Sequence, residues 1–243
     1  MTVRIGCSGW AYPHWKGGFY PPWVKEKDRL AWYAGRFDTC EINSSFYGLP
    51  RAATVAGWAK QVPADFRFAW KVSRFVTHNK KLADCRDQVD LVFSRMRGLG
   101  DREGPALVQL PPMLRRDEVR LARFCDWLPE GHRCAIEFRH PSWYEGSVLA
   151  LLEARNLALC VSDHEDAPSP VEATADFVYV RGHGPRGGYA GRYPEATLET
   201  WARRVSAWEA EGRDVYAYFD NDAGGAAPLD AAALLAKVGG VRA

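Results

Sequence analysis

The chain has 243 residues, 47% of them hydrophobic and 26% charged, enough apolar content for a large core. A net charge of +2 neither demands nor excludes nucleic acid or small anions as partners, so a local patch matters more than the total. No apolar run approaches the ~18 residues of a membrane helix, and "MTVRIGCSGW" has neither the apolar segment nor the cleavage site of a signal peptide. A cytoplasmic protein with no membrane partner is expected. The six cysteines are scattered without a CxxC pair, so they are expected as reduced thiols, with no disulfide framework and no zinc knuckle.

In chain order, short β-branched and aromatic runs alternate with stretches of helical periodicity. "VRIGCSG" (3–9) reads as the first strand, followed by the aromatic loop "WAYPHWKGGFYPPW" and a helix over 29–37. "DTCEINS" (38–44) is the second strand, with a helix over 54–62; "FRFAWKVS" (66–73) is the third, with a helix over 84–100. "PALVQLP" (105–111) precedes a helix over 118–128, and "RCAIEFR" (133–139) precedes "SWYE", where Ser142 and Glu145 match a helix capping box. "LALCVSD" (157–163) is followed by the Asp- and Pro-rich "SDHEDAPSP", with no good helix before "DFVYVRG" (176–182). A helix over 197–210, "DVYAYFD" (214–220) and a helix over 228–238 complete the chain. Eight strands alternating with helices predict an α/β protein: a parallel, eight-stranded (β/α)8 TIM-like barrel, one domain over 1–243, with the helix after the sixth strand weak or missing. An open doubly wound sheet is the rival, weakened because no GxGxxG follows a strand.

Alternate residues of a barrel strand face the interior or the helices, so each strand can be sorted by parity. In the fifth strand Ile136 and Phe138 share one face, while Ala135, Glu137 and Arg139 share the other. The same division sets Glu41 and Asn43 against Ile42, Lys71 against Trp70, Gln109 against Val108, Arg181 and His183 against Val180, Tyr218 against Phe219, and Ser8 against Cys7. Polar inward residues gather at the strand C-termini, where barrel active sites are built. Arg4 and Arg67, near strand starts, fit a structural ion-pair lattice instead. His140 has the parity of the outer face.

Cations interleaved with aromatics in the following loops suit a phosphate-bearing or nucleotide-like ligand with flat faces; Lys80 and Lys81 alone read as surface charges. Arg139, Arg181 and Lys71 would hold the anion, Trp10, Tyr47 and Trp143 would stack on the ligand, and Glu41 or Glu137 would transfer the proton, with His183 as the alternative. A Glu41–Glu137 acid/base pair would also suit a carbohydrate-active enzyme. Lys71 could form a Schiff base if desolvated. No HxH or HExxH spacing is present and arginines surround the site, so no tightly held metal is expected; a loosely bound divalent metal stays open, and no organic cofactor is expected.

"IGCSGWAYPHWKGGFYP", "EINSSFYGLP", "FRFAWKVSRFVTHNKKL", "VQLPP", "AIEFRHPSWY", "YVRGHGP" and "YAYFDND" occur in order along nearly the whole chain. Together they resemble the YecE-like family, or domain of unknown function 72. The resemblance implies a TIM-like barrel without an established reaction; likeness in shape to barrel endonucleases acting at damaged DNA has suggested nucleic-acid binding for such proteins. Carried over by position, the motif residues are Ser8, Trp10, Glu41, Asn43, Phe46, Tyr47, Lys71, His78, Gln109, Glu137, Arg139, Trp143, Arg181, His183, Tyr218, Asn221 and Asp222. Cys7 stands where the family often has threonine, and Asp220 and Asp230 where it often has asparagine. The function expected is a hydrolase or lyase acting on a phosphate-bearing or nucleotide-like ligand at the barrel mouth. The alternatives are a non-catalytic nucleic-acid binder and the carbohydrate-active enzyme. The sequence sets no oligomeric state.

Overall fold

The computed structural model describes residues 1–241. All eight expected strands form: β1 (Val3–Cys7), β2 (Thr39–Ile42), β3 (Arg67–Lys71), β4 (Glu103–Gln109), β5 (Cys134–Glu137), β6 (Ala158–Ser162), β7 (Phe177–Gly182) and β8 (Asp214–Phe219). They make one eight-stranded sheet in the order β1-β8-β7-β6-β5-β4-β3-β2, with parallel pairing throughout. Consecutive strands are neighbours, as crossover helices on one side of a barrel require.

Closure between β1 and β2 is different in kind. At the top a parallel bridge joins Ser8 to Glu41, and Gly9 N donates to Glu41 O at 2.8 Å. Below it, the Tyr33 hydroxyl accepts from Cys7 N at 2.7 Å and donates to Thr39 O at 3.0 Å, replacing a backbone ladder bond. Gly6 makes room for this. A Cβ there would lie 2.3 Å from Thr39 O and 2.7 Å from the Tyr33 hydroxyl.

Among the described residues eight α-helices accompany the sheet: α1 (Arg29–Ala34), α2 (Ser44–Tyr47), α3 (Ala52–Lys60), α4 (Arg86–Met96), α5 (Glu118–Cys125), α6 (Gly146–Glu153), α7 (Glu195–Ala210) and α8 (Ala226–Val241). The helix expected over 84–100 ends earlier: α4 stops at Met96, and the 3-10 segment after it breaks at Gly100, whose φ is 59°. The single turn α2 was not expected, and the helix that the capping box implies after β5 forms as α6, later in the chain than that box would start it; α6 buries Val148 and Leu152, four residues apart on one face. The Ser142–Glu145 capping box does not form. Pro141 starts a 3-10 turn that His140 caps, and Ser142 Oγ accepts from Arg116 N at 2.9 Å instead. Glu145 precedes α6 without a capping hydrogen bond. No helix lies between β6 and β7 among the described residues.

The parity division holds. Ile5, Ile42, Trp70, Val108, Ile136, Val180 and Ala217 join the core between sheet and helices, while Ala69, Leu107, Ala135, Ala158, Cys160, Phe177, Tyr179, Tyr216 and Tyr218 fill the barrel. The interior is complementary by volume. Small residues on β3, β5 and β6 leave space that the rings of β7 and β8 occupy, keeping the packing dense. At the strand starts Arg4 pairs with Asp38 at 2.9 Å. Arg67 departs from the ion-pair expectation: its guanidinium donates to the carbonyls of Ala64 (3.1 Å) and Phe66 (3.0 Å). All six cysteines are free and buried. No helix among the described residues is long and apolar enough to cross a membrane.

Candidate functional site

Above the ring layer, Arg181 at the C-terminal end of β7 occupies the barrel axis and is fully buried. Its Nε and Nη2 donate to the two Glu41 oxygens at 3.1 and 2.9 Å. Nη1 donates to Glu137 Oε2 and His183 Nε2, both at 3.0 Å. Nη2 also reaches Asp220 Oδ2 at 2.7 Å and Ser8 Oγ at 3.1 Å. Every face of the fork is therefore used by the protein. Glu41 also accepts from the Ser8 hydroxyl, and from the Tyr179 hydroxyl at 2.7 Å.

Arg139, just past β5, forms the second node. Its Nε donates to Glu137 Oε1 at 2.5 Å, Nη1 to the Tyr189 hydroxyl at 2.8 Å, and Nη2 to His183 Nε2 at 3.1 Å and Gln109 Oε1 at 3.4 Å. Burial would raise the Glu137 pKa, but Arg139 and Arg181 outweigh it and hold the carboxyl well below the usual range. Two guanidinium groups donate to His183 Nε2, so that nitrogen presents its lone pair and the ring proton sits on Nδ1. Nδ1 lies 3.3 Å from Ser162 Oγ and 3.5 Å from Asp163 Oδ1.

The β3 side of the mouth is different. Lys71, the last residue of β3, is only 8% exposed, and its Nζ sits 4.4 Å from the centroid of the Phe46 ring. Among the described residues, Nζ makes no ion pair or hydrogen bond. Burial, then Arg181, lower its pKa from 10.5 to about 8. His78, presented by a π-helical turn (Phe75–Asn79) after β3, packs edge-on against the same Phe46 ring at 4.9 Å. Burial, then Lys71, Arg74 and Arg139, lower its pKa to about 4. A cleft of about 270 Å³ adjoins, lined by Gly9, Trp10, Ala11, Tyr12, Asn43, Ser44 and Tyr47. No group of three or more His, Cys, Asp or Glu side chains among the described residues is placed to hold a metal ion.

A sequence profile described as "Protein of unknown function DUF72" matches residues 4–243. The chain belongs to the DUF72 family. It is 26% identical to the UPF0759 protein YunF of Bacillus subtilis (strain 168), over 92% of this chain and 90% of that one. With the UPF0759 protein YecE of Escherichia coli (strain K12) identity is 34%, over 58% of this chain and 50% of YecE. The crystal structure of a DUF72 family protein from Thermotoga maritima MSB8 superposes with a TM-score of 0.89 at 24% identity, covering 98% of this chain and 100% of that one.

Most of the expected site residues converge in this DUF72 barrel, but several of the roles expected for them do not fit. Arg181 and Arg139 do not offer open forks to an anion, because carboxylates and His183 engage them. Glu41 and Glu137 are fully buried and share one guanidinium standing between them, so they do not flank a substrate as a glycosidase pair would. Trp143 does not stack on a ligand: it is buried in the outer core, parallel to Phe138 with centroids 4.9 Å apart, and its Nε1 donates to Leu114 O at 2.7 Å. Tyr218 turns down into the barrel, its hydroxyl 2.7 Å from Thr39 Oγ1. Asn221 ties β8 to α8 through Asp230 Oδ2 at 2.7 Å. Asp222 anchors the first loop, accepting from Trp15 Nε1 at 2.6 Å and pairing with His14 at 3.0 Å. Ser8, Asn43 and Gln109 belong to the network or its border: Asn43 Nδ2 donates to Ser8 Oγ at 2.8 Å. Trp10, Tyr47, Lys71 and His78 remain at the open mouth.

The DUF72 network also uses residues outside the expected set. Tyr179 and Asp220 have inward parity, a signal already present in the sequence. Tyr189 is held in the left-handed region at φ 63° while its hydroxyl meets Arg139; a non-glycine residue there carries strain that its surroundings must sustain, and sequence pattern does not disclose it.

Proposed function

We propose that this barrel is an enzyme of the hydrolase or lyase class that takes a small phosphate-bearing or nucleotide-like ligand at the Lys71 side of its mouth. One observation carries the reading: among the described residues Lys71 is a buried cation in no ion pair, with Asp220, Glu137 and Glu41 acting on it only at longer range, in a barrel whose two other central cations are fully engaged. An anion entering there supplies a direct ion-pair partner. Arg74 and Arg139 add to the positive field that depresses His78, and the adjoining aromatic cleft offers Trp10, Tyr12 and Tyr47 to a flat ligand face. In this reading His78 moves the proton, while Glu41, Glu137 and His183 position the arginines beneath the ligand.

The test is calorimetric titration with inorganic phosphate across pH. Binding at pH 7 is expected to weaken at least tenfold in Lys71→Met, and wild-type affinity is expected to fall as pH rises through about 8, where the ammonium loses its proton. No phosphate binding, or binding indifferent to Lys71, refutes the reading.

A second reading, a nucleic-acid binder, is favoured by the rim. Tyr47 is 72% exposed and Phe75 44%, and Arg51, Arg74, Lys80 and Lys81 are exposed around them. It predicts retention of single strands that falls steeply between low and moderate salt; absence of retention at low salt rules it out.

A further inference from the structure

We infer that Lys71 is a covalent nucleophile whose Nζ condenses with the carbonyl carbon of an aldehyde or ketone carrying an anionic group, forming an imine. This rests on the reading of the mouth as the active site, and it selects the lyase branch of that reading.

The geometry separates Lys71 from the two arginines that line the barrel mouth. Arg139 and Arg181 each donate to several acceptors. Lys71, a residue only 8% exposed, holds its Nζ 4.4 Å from the centroid of the Phe46 ring, with no hydrogen-bond acceptor or ion-pair partner among the described residues. An ammonium in that position has lost part of its water without gaining hydrogen bonds, so it holds its proton less tightly and the neutral amine, though the minor form at pH 7, is more populated than in an exposed lysine. Desolvation and a neighbouring cation are the two ways a lysine is made nucleophilic, and Lys71 has both, Arg181 being the cation. The gap between 10.5 and about 8 raises the neutral fraction at pH 7 by about 300-fold over an ordinary lysine. His78 stands on the edge of the same Phe46 ring. Its Nδ1 is engaged by Thr77 Oγ1 at 2.9 Å, leaving Nε2 to relay a proton. Arg74 begins the turn that carries His78 and supplies charge for the anionic group.

The step balances without a co-reactant. The Nζ lone pair forms the C–N bond while the carbonyl π pair moves to oxygen. One proton passes from nitrogen to that oxygen, giving the carbinolamine. A second proton leaves nitrogen as the hydroxyl departs, so one imine and one water replace the amine and the carbonyl, and nothing is oxidised or reduced. Protonated on nitrogen, the imine accepts the electron pair of an adjacent C–C or C–H bond, which is the chemistry of a lyase.

The experiment incubates the full chain at pH 7 with glycolaldehyde phosphate, and separately with glycolaldehyde, in the presence of sodium cyanoborohydride, and maps reduced adducts by peptide mass spectrometry. Inorganic phosphate binding is measured on the same preparation. Labelling of Lys71 at least tenfold above the exposed Lys80 and Lys81, faster with the phosphorylated probe, is expected. Lys71→Arg, which keeps the charge but has no lone pair to give, should lose the adduct at this position, and Lys71→Met repeats the control should the arginine not fit. Even labelling of exposed lysines, or an unlabelled Lys71, overturns the imine. If phosphate still binds through Lys71 in that case, only this inference fails; if phosphate binding is also absent, the reading of the mouth fails with it.

Discussion

Lys71→Met should make the protein more stable while removing its function. In the folded chain the ammonium is desolvated, and its pKa falls from 10.5 to about 8. At about 1.4 kcal/mol per tenfold change in proton affinity, that gap amounts to about 3 kcal/mol of unfavourable burial at pH 7. Methionine is unbranched and apolar, so it can occupy the stem's path without this penalty. The cation–π contact with Phe46 is lost, which offsets about 1–2 kcal/mol. The net gain is about 1–2 kcal/mol, or about 2–8 °C in Tm for a chain of this size. The sign with pH is specific. A lysine with a lowered folded pKa binds fewer protons folded than unfolded between about 8 and 10.5, so wild-type stability rises relative to the variant across that window. Above it the two should converge, apart from the lost ring contact. Urea denaturation of both proteins at pH 7, 9 and 10.5 measures this directly. A variant less stable than wild type at pH 7, or two curves that stay parallel through the window, refutes the reasoning.

Arg181→Met should cost about 3–5 kcal/mol in urea denaturation, because it strands Glu41, Glu137 and Asp220 in the interior together. Glu137→Gln should also destabilise at neutral pH, and it should flatten the acid limb. The depressed Glu137 carboxyl contributes stability that is present above the ordinary value of 4.5 and is lost as pH falls below it, so acid titration of the variant followed by circular dichroism should show the shallower decline. Gly6→Ala should lose about 1–3 kcal/mol by driving a Cβ against Thr39 O. Tyr33→Phe should lose about 1–3 kcal/mol by leaving Cys7 N and Thr39 O unpaired at the seam. Thermal melts read both.

The parity of Glu137 and Arg139 was legible because alternation along a strand is local: two residues either side of Phe138 decide it. The same rule placed Glu41, Lys71 and Arg181 inside. What it does not carry is saturation. Arg181 is occupied by partners 140, 44 and 39 residues away, and no window of sequence reports that three carboxylates arrive at one fork. That Lys71 Nζ has no ion pair or hydrogen bond among the described residues is equally invisible in "FAWKVS". Trp143 was misplaced for a related reason. Beyond the strand the period of two lapses, and the 3-10 turn at Pro141–Trp143 folds the indole back over Phe138, on the outer side. Asn221 and Asp222 likewise lie past the end of β8, where their partners on α8 and the first loop decide their direction.

The Tyr33 hydroxyl makes the barrel a hoop whose clasp is carried by a helix. Seven of its joints are zipped by strand against strand, but the eighth has one backbone bridge at its top and, below that, a phenol that belongs to α1. The lower part of this joint is therefore coupled to the seating of α1. The Cys7 amide should then exchange its hydrogen on the schedule of α1 lifting away, out of step with the strand around it. Directly above the latch, Ser8 and Glu41 meet, so the joint that leans on a helix is also the one that brings β1 into the charged floor of the mouth.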